Sequence, residues 1–141
     1  MYTADTFSPL GEDFHIEGLR LPIDIVACPH DRQLYVADED CCIWQVSTDD
    51  HSYDKWLPQT DSTTDTFRVT TLSLTSHRLL VTSLRPPTIR QYSTKKRERL
   101  CVVELPQYVK DLRHAVETTH NTFVVGHQGT SQDKQQWAVS E

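Results

Sequence analysis

Glycine is scarce in this sequence, which has only 4 glycines among its 141 residues. Because glycine adopts left-handed backbone conformations most readily, a fold with many turns must here build them from Asp, Ser, Thr, His and Pro. Long apolar runs are also missing, and none approaches the roughly 20 residues that a membrane helix needs. The N-terminus shows no basic segment followed by an apolar one, and the chain has no Asn-x-Ser/Thr motif. These absences predict a soluble cytoplasmic protein without membrane contact.

Closely spaced cysteine pairs are absent as well. None of the four cysteines, Cys28, Cys41, Cys42 and Cys101, belongs to a CxxC motif, so the spacing favours neither a zinc site nor a disulfide framework. We expect small buried thiols in a reducing compartment. The motifs GxSxG, HExxH and the P-loop are also missing. The sequence therefore predicts no catalytic residue, no cofactor and no metal ion, and it favours a protein that is not an enzyme.

The charges are divided unevenly along the chain, whose net charge is -6. Residues 1–66 carry 14 acidic and 3 basic side chains, whereas residues 67–141 carry 6 acidic and 11 basic ones. The negative total disfavours general binding to nucleic acid. Two interpretations of the asymmetry are open: an accidental pattern of solvated loops, or an attraction between the first half of one chain and the second half of another copy.

A hydrophobic segment recurs three times at an almost constant spacing. It reads Leu34–Asp38, Leu79–Ser83 and Phe123–His127, at intervals of 45 and 44 residues. A second anchor follows the first two copies as Ile43–Thr48 and Ile89–Thr94, and Trp137–Ser140 is a looser third copy. A period of about 44 residues with four strands per period is typical of β-propeller blades. Helical repeats are excluded because no amphipathic stretch of sufficient length occurs.

A Leu-Pro pair also recurs with these repeats. They occur at Leu21-Pro22, Leu57-Pro58 and Leu105-Pro106, and each is predicted to end an outer, fourth strand because proline cannot continue a strand ladder.

The stretch 24–46, DIVACPHDRQLYVADEDCCIWQV, resembles a propeller repeat of the NHL type. Leu34–Asp38 and the Ile43…Val46 spacing carry the resemblance, whereas the later copies end in Thr82-Ser83 and Gly126-His127 instead. Over residues 14–141 it implies an all-β fold of four-stranded antiparallel blades. The period is also that of WD-type propellers, but no repeat starts with Gly-His or ends with Trp-Asp.

The repeats divide the chain into an N-terminal segment and about three blades. Residues 1–22 are predicted to hold an orphan outer strand at Phe14–Leu19, and the blades span 23–65, 66–106 and 107–141. Three blades cannot close a propeller. Three arrangements remain open: a fragment of a longer propeller, an open arc, or a head-to-tail dimer of six blades in which each N-terminal strand completes the other copy's last blade.

Exposed loops on a rigid repeat scaffold favour protein binding. The residues that enter the loops between second and third strands are the candidate contacts with a protein partner: Asp38, Glu39, Arg85 and His127. We therefore expect a non-enzymatic interaction scaffold, with self-association into a homodimer as an additional expectation.

Two alternative functions come from other classes. The resemblance to propellers implies that carboxylates on the axis could hold a metal ion in a lactonase-like enzyme, although only Asp38 lies at such a position, with Ser83 and His127 as its counterparts. The second blade is basic, through the turn at residues 95–99, KKRER, and through Arg68, Arg78, Arg85 and Arg90. It could instead bind RNA, although only Tyr92 offers nearby base stacking.

Three histidines occupy equivalent turns between the first and second strands. We interpret His30, His77 and His120 as turn residues and expect neighbouring blades to hold them too far apart to share a metal ion.

Overall fold

The computed structural model describes residues 13–39, 42–57, 68–119 and 121–128, which form ten strands. Blade 1 consists of β1 (Pro22–Cys28), β2 (Gln33–Asp38), β3 (Ile43–Ser47) and β4 (Tyr53–Leu57). Blade 2 consists of β5 (Val69–Thr75), β6 (Arg78–Leu84), β7 (Pro87–Ser93) and β8 (Glu98–Glu104). Blade 3 contributes β9 (Leu112–Thr119) and β10 (Thr122–His127). Within each blade the strands pair in chain order, and every pair is antiparallel.

The predicted all-β fold of four-stranded antiparallel blades is confirmed. The three copies of the hydrophobic segment lie in β2, β6 and β10, each beside the first strand of its own blade. The predicted strand at Trp137–Ser140 and the predicted turn residue His120 lie outside the described residues.

The Leu-Pro pairs do not all mark the end of a strand. β4 ends at Leu57 and β8 ends at Glu104, directly before Leu105, as the pattern predicts. The prediction is wrong at Leu21-Pro22, because Pro22 is the first residue of β1. Proline is tolerated there because the first residue of a strand can dispense with its N–H group.

The segment before β1 packs on its own blade. Residues 13–20 form no strand, which differs from the predicted orphan strand at Phe14–Leu19. Ile16 is buried and, with Leu19, joins a cluster that includes Val36 and Trp44 on one face of blade 1. Gly18 lies against the Trp44 ring at a φ of +92°, so a side chain there would be strained and would press on the indole. The segment is therefore an additional cover for β2 and β3.

Non-glycine residues in the left-handed region explain how the chain makes tight turns with so little glycine. In the turns between first and second strands these residues are Arg32, Ser76 and Asn121, at φ of 52°, 54° and 58°. The turns between third and fourth strands use His51 and Arg97 at 58° and 54°. Each such residue carries a steric cost of about 1–2 kcal/mol relative to the right-handed region.

Two clusters of buried side chains lie between successive blades. Trp56 is at the centre of the first and contacts Tyr35 and Tyr92 edge-on, with ring centroids 5.3 and 5.6 Å apart. The second joins blades 2 and 3 through residues such as Ile89 and Phe123. Trp56 therefore packs between blades 1 and 2, Trp44 belongs to the cluster on one face of blade 1, and Trp137 is outside the described residues.

The described part of the chain contains no helix with the length and apolar character needed to cross a membrane.

Candidate protein-interaction surface

The ends of the second strands and the starts of the first strands meet at one end of the blades. In blade 1 Asp38 pairs with Pro22, in blade 2 Ser83 pairs with Val69, and in blade 3 His127 pairs with Leu112. The candidate contact residues predicted from the sequence all lie at or just beyond this end, which we call the loop face.

Asp38 lies beneath the loop face. Its side chain is 1% exposed, and its two carboxylate oxygens accept hydrogen bonds from the backbone N–H groups of Arg20 and Leu21, at 3.0 and 2.9 Å. Ser83 is fully buried at the equivalent position, and its Oγ accepts the N–H of Arg68 at 3.3 Å. Both side chains thus hold the backbone that enters the first strand of their own blade.

The electrostatic state of Asp38 follows from these bonds. Burial alone would raise the pKa of its carboxyl group, because the charged form loses its hydration. The N–H groups of Leu21 and Arg20, together with the indole of Trp44, outweigh that effect and hold the pKa of Asp38 below its usual value. Its carboxylate is therefore charged, and its bonding capacity is already used inside the chain. A contact between Asp38 and a metal ion or a partner would require these bonds to break.

A cavity of about 390 Å³ opens at the loop face between blades 1 and 2. Its apolar wall comes from Ile23, Val69 and Leu84, and charged side chains of both signs stand around it: Glu39, Arg68 and Arg85. Those three charged residues are exposed. The backbone fixes Glu39 in place, because its N–H donates to the carbonyl of Leu21 at 3.0 Å. An apolar wall with a few charged groups is the composition expected of a binding cleft.

The structure brings together two of the four predicted contact residues. Glu39 and Arg85 line the same cavity, although they come from different blades. Asp38 supports this region from below. His127 lies at the end of β10 in blade 3, and both of its ring nitrogens are buried without a hydrogen-bond partner among the described residues.

Sequence reasoning missed the apolar part of this surface. Every second residue from just before β1 into the strand is apolar and exposed. These residues are Leu21, Ile23 and Ile25, at 52%, 40% and 57% exposure. The signal was present, since apolar residues at every second position mark one face of a strand.

The basic second blade uses much of its charge in ion pairs. Arg78 lies 2.6 Å from the buried Glu117, Arg97 lies 3.6 Å from Asp54, and Lys96 lies 3.7 Å from Glu98. Cations that are already paired attract a phosphate backbone less strongly. This arrangement removes much of the support for RNA binding through the turn at residues 95–99.

A second group of polar side chains lies at the opposite end of the same two blades. His30 and His77 have ring centroids 6.4 Å apart, so the prediction that equivalent turns are well separated is wrong for this pair. The cause is that β1 and β5 are neighbouring inner strands, which brings their turns together. His77 also contacts Asp31, and one potential ligand atom from each of Cys28, Asp31 and His77 lies within 4.8 Å of the others.

No protein-family model matches the chain, and no curated protein matches it. Solved structures do match. U3-55K is 14% identical with a TM-score of 0.57, over 77% of this chain and 34% of that chain. The WD40 repeats of RRP9 are 15% identical with a TM-score of 0.57, over 77% and 33%. A chain of the mitotic checkpoint complex is 12% identical with a TM-score of 0.54, over 90% and 41%.

These likenesses establish the fold at a coarse level. The neighbours are WD40 propellers with four-stranded antiparallel blades, so the comparisons support a partial propeller but not the NHL type that the sequence of blade 1 resembles. This chain spans about a third to two-fifths of the length of the neighbours. The chain is therefore similar in fold to part of a WD40 propeller.

Proposed function

We propose that the chain binds a protein partner through the cavity between blades 1 and 2, as a non-enzymatic scaffold. The observation that carries this proposal is the juxtaposition of an apolar wall, formed by Ile23, Val69 and Leu84, with charged side chains from two blades. Apolar contact supplies affinity, and charges at the rim select the partner and its orientation.

The charges define the chemistry of the partner. Arg68 and Arg85 give the cavity two cations against the single carboxylate of Glu39. A peptide segment with one apolar side chain flanked by acidic residues would complement this arrangement. Asp38 contributes by fixing Arg20 and Leu21, next to the cavity, and His127 is assigned to a more distant part of the same face.

The test selects peptides from a random library on the full chain and measures their affinity by fluorescence anisotropy. We expect the selected peptides to combine an apolar residue with acidic neighbours. The variant Arg85→Glu should weaken them at least about tenfold, because reversal of a contact charge adds repulsion to the lost attraction. The matched control is Arg99→Glu, which makes the same charge reversal on the exposed strand β8. Equal loss in both variants, or none in either, would refute the proposed site.

Self-association is the second candidate, favoured by the exposed apolar face of β1. Ile23 and Ile25 lie on a first strand, the strand that in blades 2 and 3 packs against a neighbouring blade. A second copy could cover this face, with the opposite charges of the two halves of the chain adding attraction. The clasp predicted from the sequence does not support this idea, since Ile16 and Leu19 pack on Trp44 of the same chain.

Light scattering at several concentrations tests self-association. A mass of twice the 16.3 kDa chain that falls to one chain in the variant Ile25→Asp would support a dimer through β1. A single-chain mass at every concentration would exclude it.

A further inference from the structure

The cluster of Cys28, Asp31 and His77 unites two blades at the end opposite the proposed partner surface. Cys28 is the last residue of β1, and Asp31 follows in the turn that Arg32 closes with a positive φ. His77 comes from the turn between β5 and β6, next to Ser76, which also has a positive φ. Three side chains that could bind a metal ion are therefore fixed by two separate tight turns.

We propose that Cys28, Asp31 and His77 form a zinc site that joins blade 1 to blade 2. Thiolate, imidazole and carboxylate are the three ligand types that zinc uses in proteins. The proposal departs from the sequence-based prediction of no metal ion, which relied on the absence of a CxxC motif. The ligands here come together through the fold, so no motif of closely spaced residues indicates them in the sequence.

Two of the three separations are close to those of tetrahedral coordination. Ordinary zinc–ligand bond lengths place the ligand atoms of a tetrahedral site about 3.4–3.6 Å apart. The Sγ of Cys28 lies 3.3 Å from Oδ2 of Asp31, and Nδ1 of His77 lies 3.2 Å from the same oxygen. The sulfur and the imidazole are no more than 4.8 Å apart, so this third separation needs to shorten by at most roughly 1.3 Å. Water, or the imidazole of His30 beside His77, could supply a fourth ligand.

The candidate zinc site is buried on the side of Cys28 and open to solvent on the side of Asp31 and His77. Cys28 is 1% exposed, whereas the side chains of Asp31 and His77 are about one-third exposed. An ion can therefore enter from the side of Asp31 and His77 and reach the buried sulfur. On binding, the Cys28 S–H bond breaks, the sulfur keeps the electron pair as a thiolate ligand, and the proton passes to solvent.

A hydrogen-bonded group without a metal ion is the competing interpretation. The Cys28 thiol donates to Asp31, and the Asp31 carboxylate also contacts His77, so the three groups already satisfy one another. Burial raises the pKa of the Cys28 thiol, and this favours the protonated form as long as no cation is bound. The two interpretations differ in whether the sulfur ever bonds to a metal.

Titration with cobalt(II) distinguishes the two interpretations. Cobalt(II) adopts the same tetrahedral coordination as zinc, and its bond to a thiolate gives a charge-transfer band in the near ultraviolet. We expect the metal-free full chain to develop this band, together with visible bands of tetrahedral cobalt, up to one equivalent. Excess zinc should abolish the bands. No charge-transfer band at several equivalents of cobalt would overturn the proposal.

Four variants test which residues bind the cobalt ion. Cys28→Ser should remove the charge-transfer band, and His77→Ala should weaken cobalt binding at least about tenfold, since even outer-shell changes have effects of that size. The matched controls Cys101→Ser and His114→Ala should keep the full spectrum. A band that survives in Cys28→Ser, or that disappears in Cys101→Ser, would overturn the assignment. If Cys28→Ser fails to fold by circular dichroism, His77→Ala still decides, and full cobalt affinity in it would refute the site.

Discussion

The substitution Asp38→Asn tests whether this aspartate is a structural support rather than a contact. The side chain is 1% exposed and accepts N–H groups from Arg20 and Leu21, so the substitution changes its charge and its hydrogen bonds with little change of shape. If Asp38 acted mainly as a surface contact or as a metal ligand, the stability of the isolated chain would hardly respond.

The expected loss follows from the two hydrogen bonds. A hydrogen bond to a charged group contributes about 1.5–3 kcal/mol. Asparagine keeps one oxygen for one N–H group and turns its own NH₂ group toward the other. Arg20 and Leu21 are exposed, so water can reach the N–H group that loses its partner and recover part of the energy. We therefore expect the free energy of unfolding to fall by about 2–3 kcal/mol at neutral pH.

The pH dependence gives the second part of the test. Because the folded-state pKa of Asp38 is lowered, its charge adds stability above the unfolded-state pKa of about 3.9, and this contribution disappears as pH falls through the folded-state pKa. Urea unfolding followed by tryptophan fluorescence, from about pH 7 down to pH 3, measures it. The difference between wild type and Asp38→Asn should shrink on acidification. The control Glu104→Gln alters an exposed carboxylate on β8 and should change little at pH 7. A constant difference, or none at neutral pH, would refute the reasoning.

Three further predictions use the same urea assay. Glu117→Ala should lower the free energy of unfolding by about 3 kcal/mol, because Arg78 and Gln91 lose their carboxylate partner. This is the lower end for a broken buried pair, since Arg78 keeps contact with water. Unchanged stability would contradict the prediction. Ser76→Gly should stabilise the chain by up to about 1 kcal/mol by relieving a positive φ of 54°, and destabilisation would show that the turn is not strained. Ser83→Ala should cost about 1 kcal/mol, less than Asp38→Asn, because one neutral hydrogen bond is lost.

Strand pairing was predictable from the sequence because its signal is local. Apolar residues in Leu34–Asp38 and Leu79–Ser83 recur at a fixed period, and the short turns between strands leave antiparallel pairing as the simple solution. The role of Pro22 was not predictable in the same way. A proline marks a strand boundary but does not show on which side of it the strand lies. The packing of Ile16 on Trp44 was not predictable either, because it arises only from tertiary structure.

The candidate surface was predictable only in part, because it depends on which residues of different blades meet. Glu39 and Arg85 were identified from their place after second strands, and the fold puts both on one cavity. The alternation around Ile23 indicates an apolar strand face but not the cavity that this face lines, and the meeting of Cys28 with His77 has no signal in local spacing. Contacts between blades join residues that are distant in the chain, such as Asp31 and His77, which are 46 positions apart, and the register of one blade against the next is set by side-chain packing.

The polar residues at the ends of the second strands illustrate why recurrence in a repeat does not identify a functional site. Each blade must fix the backbone that enters its first strand, and that backbone presents N–H groups with no ladder partner. Blade 1 presents two of them, at Arg20 and Leu21, and a carboxylate accepts both. In blade 2, among the described residues, the N–H of Arg68 donates to the hydroxyl of Ser83. Both acceptors thus have a structural task within their own blade, and neither needs a metal on the axis to explain it. Specificity for a partner has to come from charged side chains that stay exposed, and at the cavity on the loop face these are Glu39, Arg68 and Arg85.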